Sequence, residues 1–264
     1  MESDAGVRGS RVLVTAASQG IGLGAARAFA RAGARVVVNG SHAGRLDSAV
    51  RSLKELGDAY GIVADLTVGA DLDRLLEGTV AHLGGLDTLV YVTGSPRPGT
   101  FLEQSYDDWA RAASLLVVSP AYLARKSAEA MEASGRGGRM VFLTSIAIRE
   151  PIPTLATSSV CRIAVAGLVR TLARELGPKG IRVNGILPGY IETGRIEEVV
   201  ADAARRKGTT PAEERALLAR DIPLGRIGTT EELGEAILFL ASDRSSYVTG
   251  AMLPVDGGRL RSVG

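Results

Sequence analysis

The chain has 264 residues, 45% of them hydrophobic, and a formal net charge of +2, so it can bury a large core and carries no basic block of the kind that marks a nucleic-acid partner. A single cysteine, Cys161, excludes an internal disulfide framework and fits a reducing, cytoplasmic setting. Only His42 and His82 are available, each on an expected surface segment, so no zinc cluster and no serine–histidine triad is indicated.

The opening Met-Glu-Ser-Asp-Ala-Gly is acidic and polar, unlike a signal peptide. Arg11-Val-Leu-Val-Thr15 then reads as a buried strand, followed by Ala16-Ala-Ser-Gln-Gly20-Ile-Gly22-Leu-Gly24 and a helix with Ala26, Phe29 and Ala30 on one face. A strand that turns through glycines into a helix N-terminus presents free backbone N–H groups to a pyrophosphate, although a tight turn without ligand has the same appearance. Val36 to Gly40 is a second strand, and Asp58 to Ala64 a third, running into Asp65-Leu66-Thr67. Leu86 to Val92, Gly138 to Thr144, Ile181 to Leu187 and Ala251 to Val255 supply four more, with helical stretches between. The predicted fold class is α/β: a single doubly wound (Rossmann) domain over 1–264, a seven-stranded parallel sheet with helices on both faces. No Pro/Ser-rich linker divides it, and the uncharged stretch Ala112 to Ala124, about 13 residues, is too short to cross a bilayer. Gly194 to Asp221 is patterned as two helices around Gly208-Thr-Thr-Pro211, with Val199, Val200, Leu217 and Leu218 as apolar anchors, and is expected to form a substrate lid over about 194–221. Ser95-Pro-Arg97-Pro-Gly-Thr100 is a second candidate for a pocket wall.

Taken in order, these motifs resemble the short-chain dehydrogenases/reductases, and within them the 3-oxoacyl-carrier-protein reductases, from Val12 to Gly258. Thr15-Ala-Ala-Ser-Gln-Gly-Ile-Gly22 is similar to the family's TGxxxGIG loop, with alanine for the first glycine. The resemblance assigns Thr15, Ala17, Ser18, Gln19, Gly20, Ile21 and Gly22 to the pyrophosphate, and Asp65 with Leu66 to the adenine. It assigns Gly94, Pro188, Gly189, Ile191 and Thr193 to the nicotinamide end, and implies a homotetramer or homodimer paired through helices that begin near Asp108 and Thr154. At the end of the second strand Asn39, Gly40 and Ser41 offer no carboxylate, and Arg45 follows, so NADP(H) is preferred and NAD(H) kept as the alternative.

The departures from the family pattern concern chemistry. Tyr91-Val-Thr-Gly94 stands where the family has NNAG, and Leu116 where it has a catalytic asparagine. Ser145 is kept, but counting thirteen residues on to the family's tyrosine reaches Ser158, and four more to its lysine reaches Arg162. A tyrosine, with a pKa near 10, can be brought towards working pH by a cation; a serine hydroxyl has no such route. Arginine keeps its charge and cannot shuttle a proton as a lysine does. The expected function is ketone reduction, or alcohol oxidation, by hydride transfer at a Ser145/Ser158/Arg162 site. Ser145 and Ser158 would hydrogen-bond the carbonyl while Arg162 clamps ribose or steadies an oxyanion. The proton would come from water or from the small-molecule substrate itself. A non-redox enzyme on the same scaffold, for elimination, cyclisation or isomerisation, and a silent dinucleotide-binding protein stay open beside it. Each site residue also has an ordinary use: Ser145 as a cap, Ser158 as the start of a helix, Arg162 and Arg45 as surface cations, Cys161 as core. Tyr91 and Tyr190 are candidates for a displaced phenol.

Overall fold

The computed structural model describes residues 6–152 and 154–262. Its centre is one parallel sheet: β1 (Arg11–Val14), β2 (Arg35–Gly40), β3 (Ala59–Val63), β4 (Thr88–Tyr91), β5 (Gly138–Leu143), β6 (Ile181–Pro188) and β7 (Met252–Val255). The spatial order is β3-β2-β1-β4-β5-β6-β7. The chain therefore winds outward from β1 to β3 and then restarts at β4 on the other side of β1. The crevice beyond the carboxyl ends of these two strands is where such a sheet takes its ligand.

Side chains alternate across the sheet, and both faces are covered. Val12, Val14, Val36 and Val38 pack under α1 (Gly20–Arg31), α2 (Ala43–Lys54) and α9 (Thr230–Ala241), through Phe29, Leu46, Leu53 and Ile237. Leu13, Val37, Leu89 and Phe142 pack under α3 (Gly69–Leu83), α5 (Ser119–Ser134) and α6 (Ala156–Leu176), through Leu75, Leu123, Met131 and Val169. Burial on both faces is why the strands read as continuous apolar runs. The stretch Ala156–Lys179 also meets the length and hydropathy of a membrane span, but Val165 and Val169 spend that apolarity on the sheet.

Element ends differ from the sequence reading by a residue or two, as strand and helix ends generally do. The helix expected near Asp108 is α4 (Tyr106–Ala113), started by a box in which Ser105 Oγ accepts from the Asp108 N–H. A π turn, Ser114–Val118, joins it to α5. The 194–221 segment forms α7 (Gly194–Lys207) and α8 (Pro211–Arg220). Gly208, at φ 69°, ends the first; Thr210 caps the second, whose first residue is Pro211. One of the four expected anchors is corrected: Leu217 is 47% exposed, because Ile196, Val200, Ile222 and Ile227 already close that small core and turn it outward.

At the amino-terminal edge of the sheet Arg11 is tied to Asp87. Its Nε donates to Oδ2 at 2.9 Å and its Nη2 to Oδ1 at 2.6 Å, and the Arg11 backbone N–H adds a third bond to Oδ2 at 2.9 Å. Burial alone would raise the Asp87 carboxyl, but the Arg11 hydrogen bonds outweigh it and hold the group below its ordinary pKa.

Candidate functional site

The turn after β1 is built by backbone-directed side chains. Thr15 Oγ1 donates to Val92 O at 2.5 Å and accepts from the Val92 N–H at 2.8 Å, pinning β1 to the end of β4. Asn39 Oδ1 accepts from the Ala16 N–H at 3.1 Å, while its Nδ2 donates to Ala64 O at 2.9 Å. One buried amide thus ties the turn to the end of β3. Ala16 sits at φ 45°, a left-handed conformation that suits the glycine absent here. Gly20 lies at φ 56°, and a Cβ on Gly22 would stand 2.4 Å from Ala16 O, so the turn closes only without side chains.

These constraints leave the N-terminus of α1 open. Its cap residue, Gln19, makes no side-chain bond to the helix, and its first turn holds no acidic residue. Free N–H groups and the positive helix end therefore face the crevice, an arrangement suited to an anion. From this end a cavity of about 930 Å³ runs along the carboxyl edge of the sheet. Ser18, Gln19, Gly20, Ile21, Gly22, Asn39, Ser41, Arg45, Asp65 and Leu66 line one half of it. Gly94, Ser145, Ser158, Arg162, Pro188, Gly189, Ile191 and Thr193 line the other. Of the residues expected to bind the nucleotide, Thr15 and Ala17 stand outside the lining: both are fully buried, and the Ala17 N–H is used on Asn39 O at 2.7 Å. They shape the turn from behind.

At the far end the expected residues meet. Ser145 ends the segment after β5 and caps the short helix Ile146–Ile148 by accepting from the Ala147 N–H at 3.1 Å, so it combines a capping bond with a place on the cavity wall. Ser158 and Arg162 are one turn apart on α6, where i and i+4 side chains meet. Arg162 Nε donates to Ser158 Oγ at 3.0 Å, and Nη1 donates to Leu143 O at 3.2 Å and Thr144 O at 3.3 Å. The arginine is 5% exposed and has no carboxylate partner among the described residues. Desolvation pulls its pKa down to about 10, against small opposing effects of Tyr91 and Cys161, and it stays cationic at neutral pH. Taking an ion out of water costs several kcal/mol, and here only neutral oxygens offset that cost.

Other residues behave differently from the sequence reading. Tyr91 is not a displaced phenol: it is 2% exposed, lies outside the cavity lining, and its hydroxyl donates to Leu115 O in the π turn at 3.1 Å. Burial also pushes that phenol well above its ordinary pKa. It forms a different brace between the central sheet and the α4–α5 turn. Tyr190 does line the cavity, under the Arg259 guanidinium at 4.6 Å. Cys161 packs with Ala112 and Leu116, and burial raises its thiol. The sequence reading missed the apolar wall made by Leu115, Ile146, Ile152, Leu155 and Ile196, and the approach of Arg195 and Glu198 from α7. An isolated apolar residue carries no signal in the sequence that it faces a ligand rather than the core.

Comparison with known proteins matches residues 15–259 to a family model described as Enoyl-(Acyl carrier protein) reductase. Gluconate 5-dehydrogenase of Gluconobacter oxydans is 36% identical over 254 residues, 95% of this chain and 94% of that protein. The chain belongs to the short-chain dehydrogenase/reductase family. A second family member, 7alpha-hydroxysteroid dehydrogenase of Escherichia coli K12, is 34% identical over 97% of this chain and 96% of its own length. Among solved structures of the family, L-sorbose reductase of Gluconobacter frateurii, complexed with NADPH and L-sorbose, superposes with a TM-score of 0.94 at 31% identity, covering 99% of this chain and 100% of that one.

Proposed function

We propose that this chain is an NADP(H)-dependent oxidoreductase that reduces a ketone, or oxidises an alcohol, at an atypical Ser145/Ser158/Arg162 site. The observation that carries the reading is continuity: one cavity joins the open N-terminus of α1 to the two serine hydroxyls and the buried guanidinium. The residues at its first half fit a dinucleotide. The uncapped helix end would take the pyrophosphate, Asp65 and Leu66 would flank adenine, and Pro188, Gly189, Ile191 and Thr193 would hold the nicotinamide end. Ser18, Ser41 and Arg45 line the cavity, and Asn39, Gly40 and Ser41 place no carboxylate at the end of β2 to repel a 2′-phosphate, which favours NADP(H) over NAD(H). The NADPH complex of the related L-sorbose reductase supports the same preference.

A bound reduced nicotinamide supplies hydride. The chain's own part is to hold the carbonyl and its developing charge. Ser158 Oγ accepts from Arg162, so its hydroxyl proton is left to donate into the cavity, beside Ser145. Arg162 adds a fixed positive charge in a dry setting, where such charge acts strongly on a developing alkoxide. Neither serine is an acid of tyrosine's strength, so turnover is slow or draws its proton from water or substrate. Nucleotide calorimetry followed by NADPH oxidation against a ketone panel tests the reading. Binding with turnover supports it, and binding without turnover favours the non-redox or silent alternatives. Absence of binding to either reduced nucleotide removes it.

The lid role of α7 and α8, a cytoplasmic location and self-association belong to the same proposal. Val118, Val160 and Ile163, at 61%, 57% and 53% exposed, give the π turn before α5 and helix α6 apolar outer positions suited to a homodimer or homotetramer. Light scattering at micromolar protein should show a dimer or larger; a monomer would refute the pairing.

A further inference from the structure

The buried charge at the far end of the cavity narrows the substrate, on the premise of the reductase function proposed above. Arg162 is surrounded by neutral groups: Ser158 on its own helix, the carbonyls of Leu143 and Thr144 after β5, Tyr91 from β4 and Cys161 beside it. A buried guanidinium is ordinarily matched by a carboxylate; even the less buried Arg11 is matched by Asp87. Here no Asp or Glu among the described residues pairs with it, while Ser158 and Arg162 both line the open cavity. Ser158 is also a small side chain, so space remains in front of the charge. The cavity lining includes Leu115, Ile152, Leu155 and Ile196, beside Tyr190, Arg195 and Glu198, and its apolar part suits a flat conjugated body.

We propose that Ser158 and Arg162 form a receptor for an acidic hydroxyl of the substrate, an enol or phenol conjugated with and adjacent to the reacting carbonyl, and that this hydroxyl is the proton donor the chain lacks. The bond changes balance without a protein acid. As hydride from a reduced nicotinamide nucleotide forms the new C–H bond, the substrate O–H breaks and its proton forms an O–H on the former carbonyl oxygen. The nucleotide leaves oxidised, and the enolate or phenolate rests on Arg162 until water returns a proton. A phenol has the acidity range of the tyrosine side chain, and a neighbouring cation strengthens it as an acid.

The probes are 8-hydroxy-1-tetralone, its methyl ether and unsubstituted 1-tetralone, mixed with the full chain saturated with NADP⁺. Phenolate absorbance of the hydroxy probe is read against pH, so no turnover is needed. Bound to the native protein, the phenol should ionise at least one pH unit below its free value, a tenfold shift. Arg162→Lys should keep part of that shift, and Arg162→Gln should abolish it while NADPH affinity stays within about twofold. With NADPH, the hydroxy ketone should be reduced at least tenfold more efficiently than the methyl ether. An unshifted phenol in the native protein overturns the receptor. So does equal reduction of hydroxy and methoxy ketones, loss of NADPH affinity as the main effect of Arg162→Gln, or elimination of all reduction by Tyr190→Phe. The native protein alone supplies the first two outcomes, so misfolding of a variant cannot rescue the idea. Failure to bind NADPH at all would instead strike the reductase reading itself.

Discussion

Two arginines, Arg11 partly buried and Arg162 fully so, stand at opposite edges of the same sheet, and they are treated in opposite ways. Arg11, at the amino-terminal edge, is clamped by both oxygens of Asp87, so its charge is matched where it serves only to hold β1 to the turn before β4. Arg162, at the carboxyl edge, has three neutral oxygens and a cavity in front of it. Arg182 shows that a missing carboxylate alone does not mark function. Among the described residues it too has no direct carboxylate, yet its donors are spread over Leu240 O, Ser242 O, Ser245 O and Ser245 Oγ, inside the fold. What distinguishes Arg162 is an unneutralised charge together with open space, at the edge where doubly wound sheets bind their ligands.

The contrast can be broken most forcefully at Arg11. Arg11→Met should cost about 3–5 kcal/mol of stability, because among the described residues it leaves buried Asp87 with the backbone N–H of residue 11 and, as a side-chain cation, Arg136 at 3.8 Å. Activity per folded molecule should be unchanged, and urea unfolding with NADPH titration would show both. Asp87 has a folded-state pKa held below its unfolded one, so its contribution is present above the unfolded value and fades as pH falls through the folded value. In Arg11→Met that part of the acid sensitivity should shrink; an unchanged acid profile would contradict the assignment. At the other edge, Ser158→Ala removes one of the three oxygens on Arg162 and should cost about 1–3 kcal/mol of stability, less than Arg11→Met, while lowering kcat about 10²–10³-fold, roughly 2.7–4 kcal/mol of barrier. A large stability loss with normal turnover would reverse the roles given to the two edges.

Smaller changes sharpen the nucleotide half. Ser41→Asp places a carboxylate at the adenosine end and should shift the ratio of NADPH to NADH affinity towards NADH by about 10–100-fold, roughly 1.4–2.7 kcal/mol. No shift would mean that this end does not meet a 2′-phosphate. The smallest effect belongs to Ala16→Gly. Relief of the left-handed conformation at φ 45° exceeds the added flexibility of the unfolded chain, so stability should rise by about 0.5–1 kcal/mol in chemical denaturation. A decrease would show that the turn is not strained there.

Much of this molecule was legible in its residues because the relevant signals are local. Apolar runs such as Val36-Val-Val, the glycine turn at Gly20 to Gly22, and the Gly208-Thr-Thr-Pro211 break between two helices each act within a few residues. The pairing of Ser158 with Arg162 was equally readable, since four residues make one helical turn. Asn39 was readable only in part. Its place in the cavity lining agrees with the cofactor-end position read from the sequence, but its amide is also held by Ala16, Ile62 and Ala64, partners that only chain winding brings near. Tyr91 misled for the same reason, since its acceptor, Leu115 O, lies 24 residues away in a π turn.

By itself, then, the sequence determined the alternation of strands and helices, the single parallel sheet, the open helix N-terminus and which side chains sit one turn apart, because periodicity and turn chemistry are properties of neighbours along the chain. Tertiary structure alone decided that Arg162 is buried, bound to carbonyls 18 and 19 residues earlier, and left without a carboxylate in front of a cavity. Burial and charge pairing depend on what long-range packing places around a residue, and no local pattern carries that information.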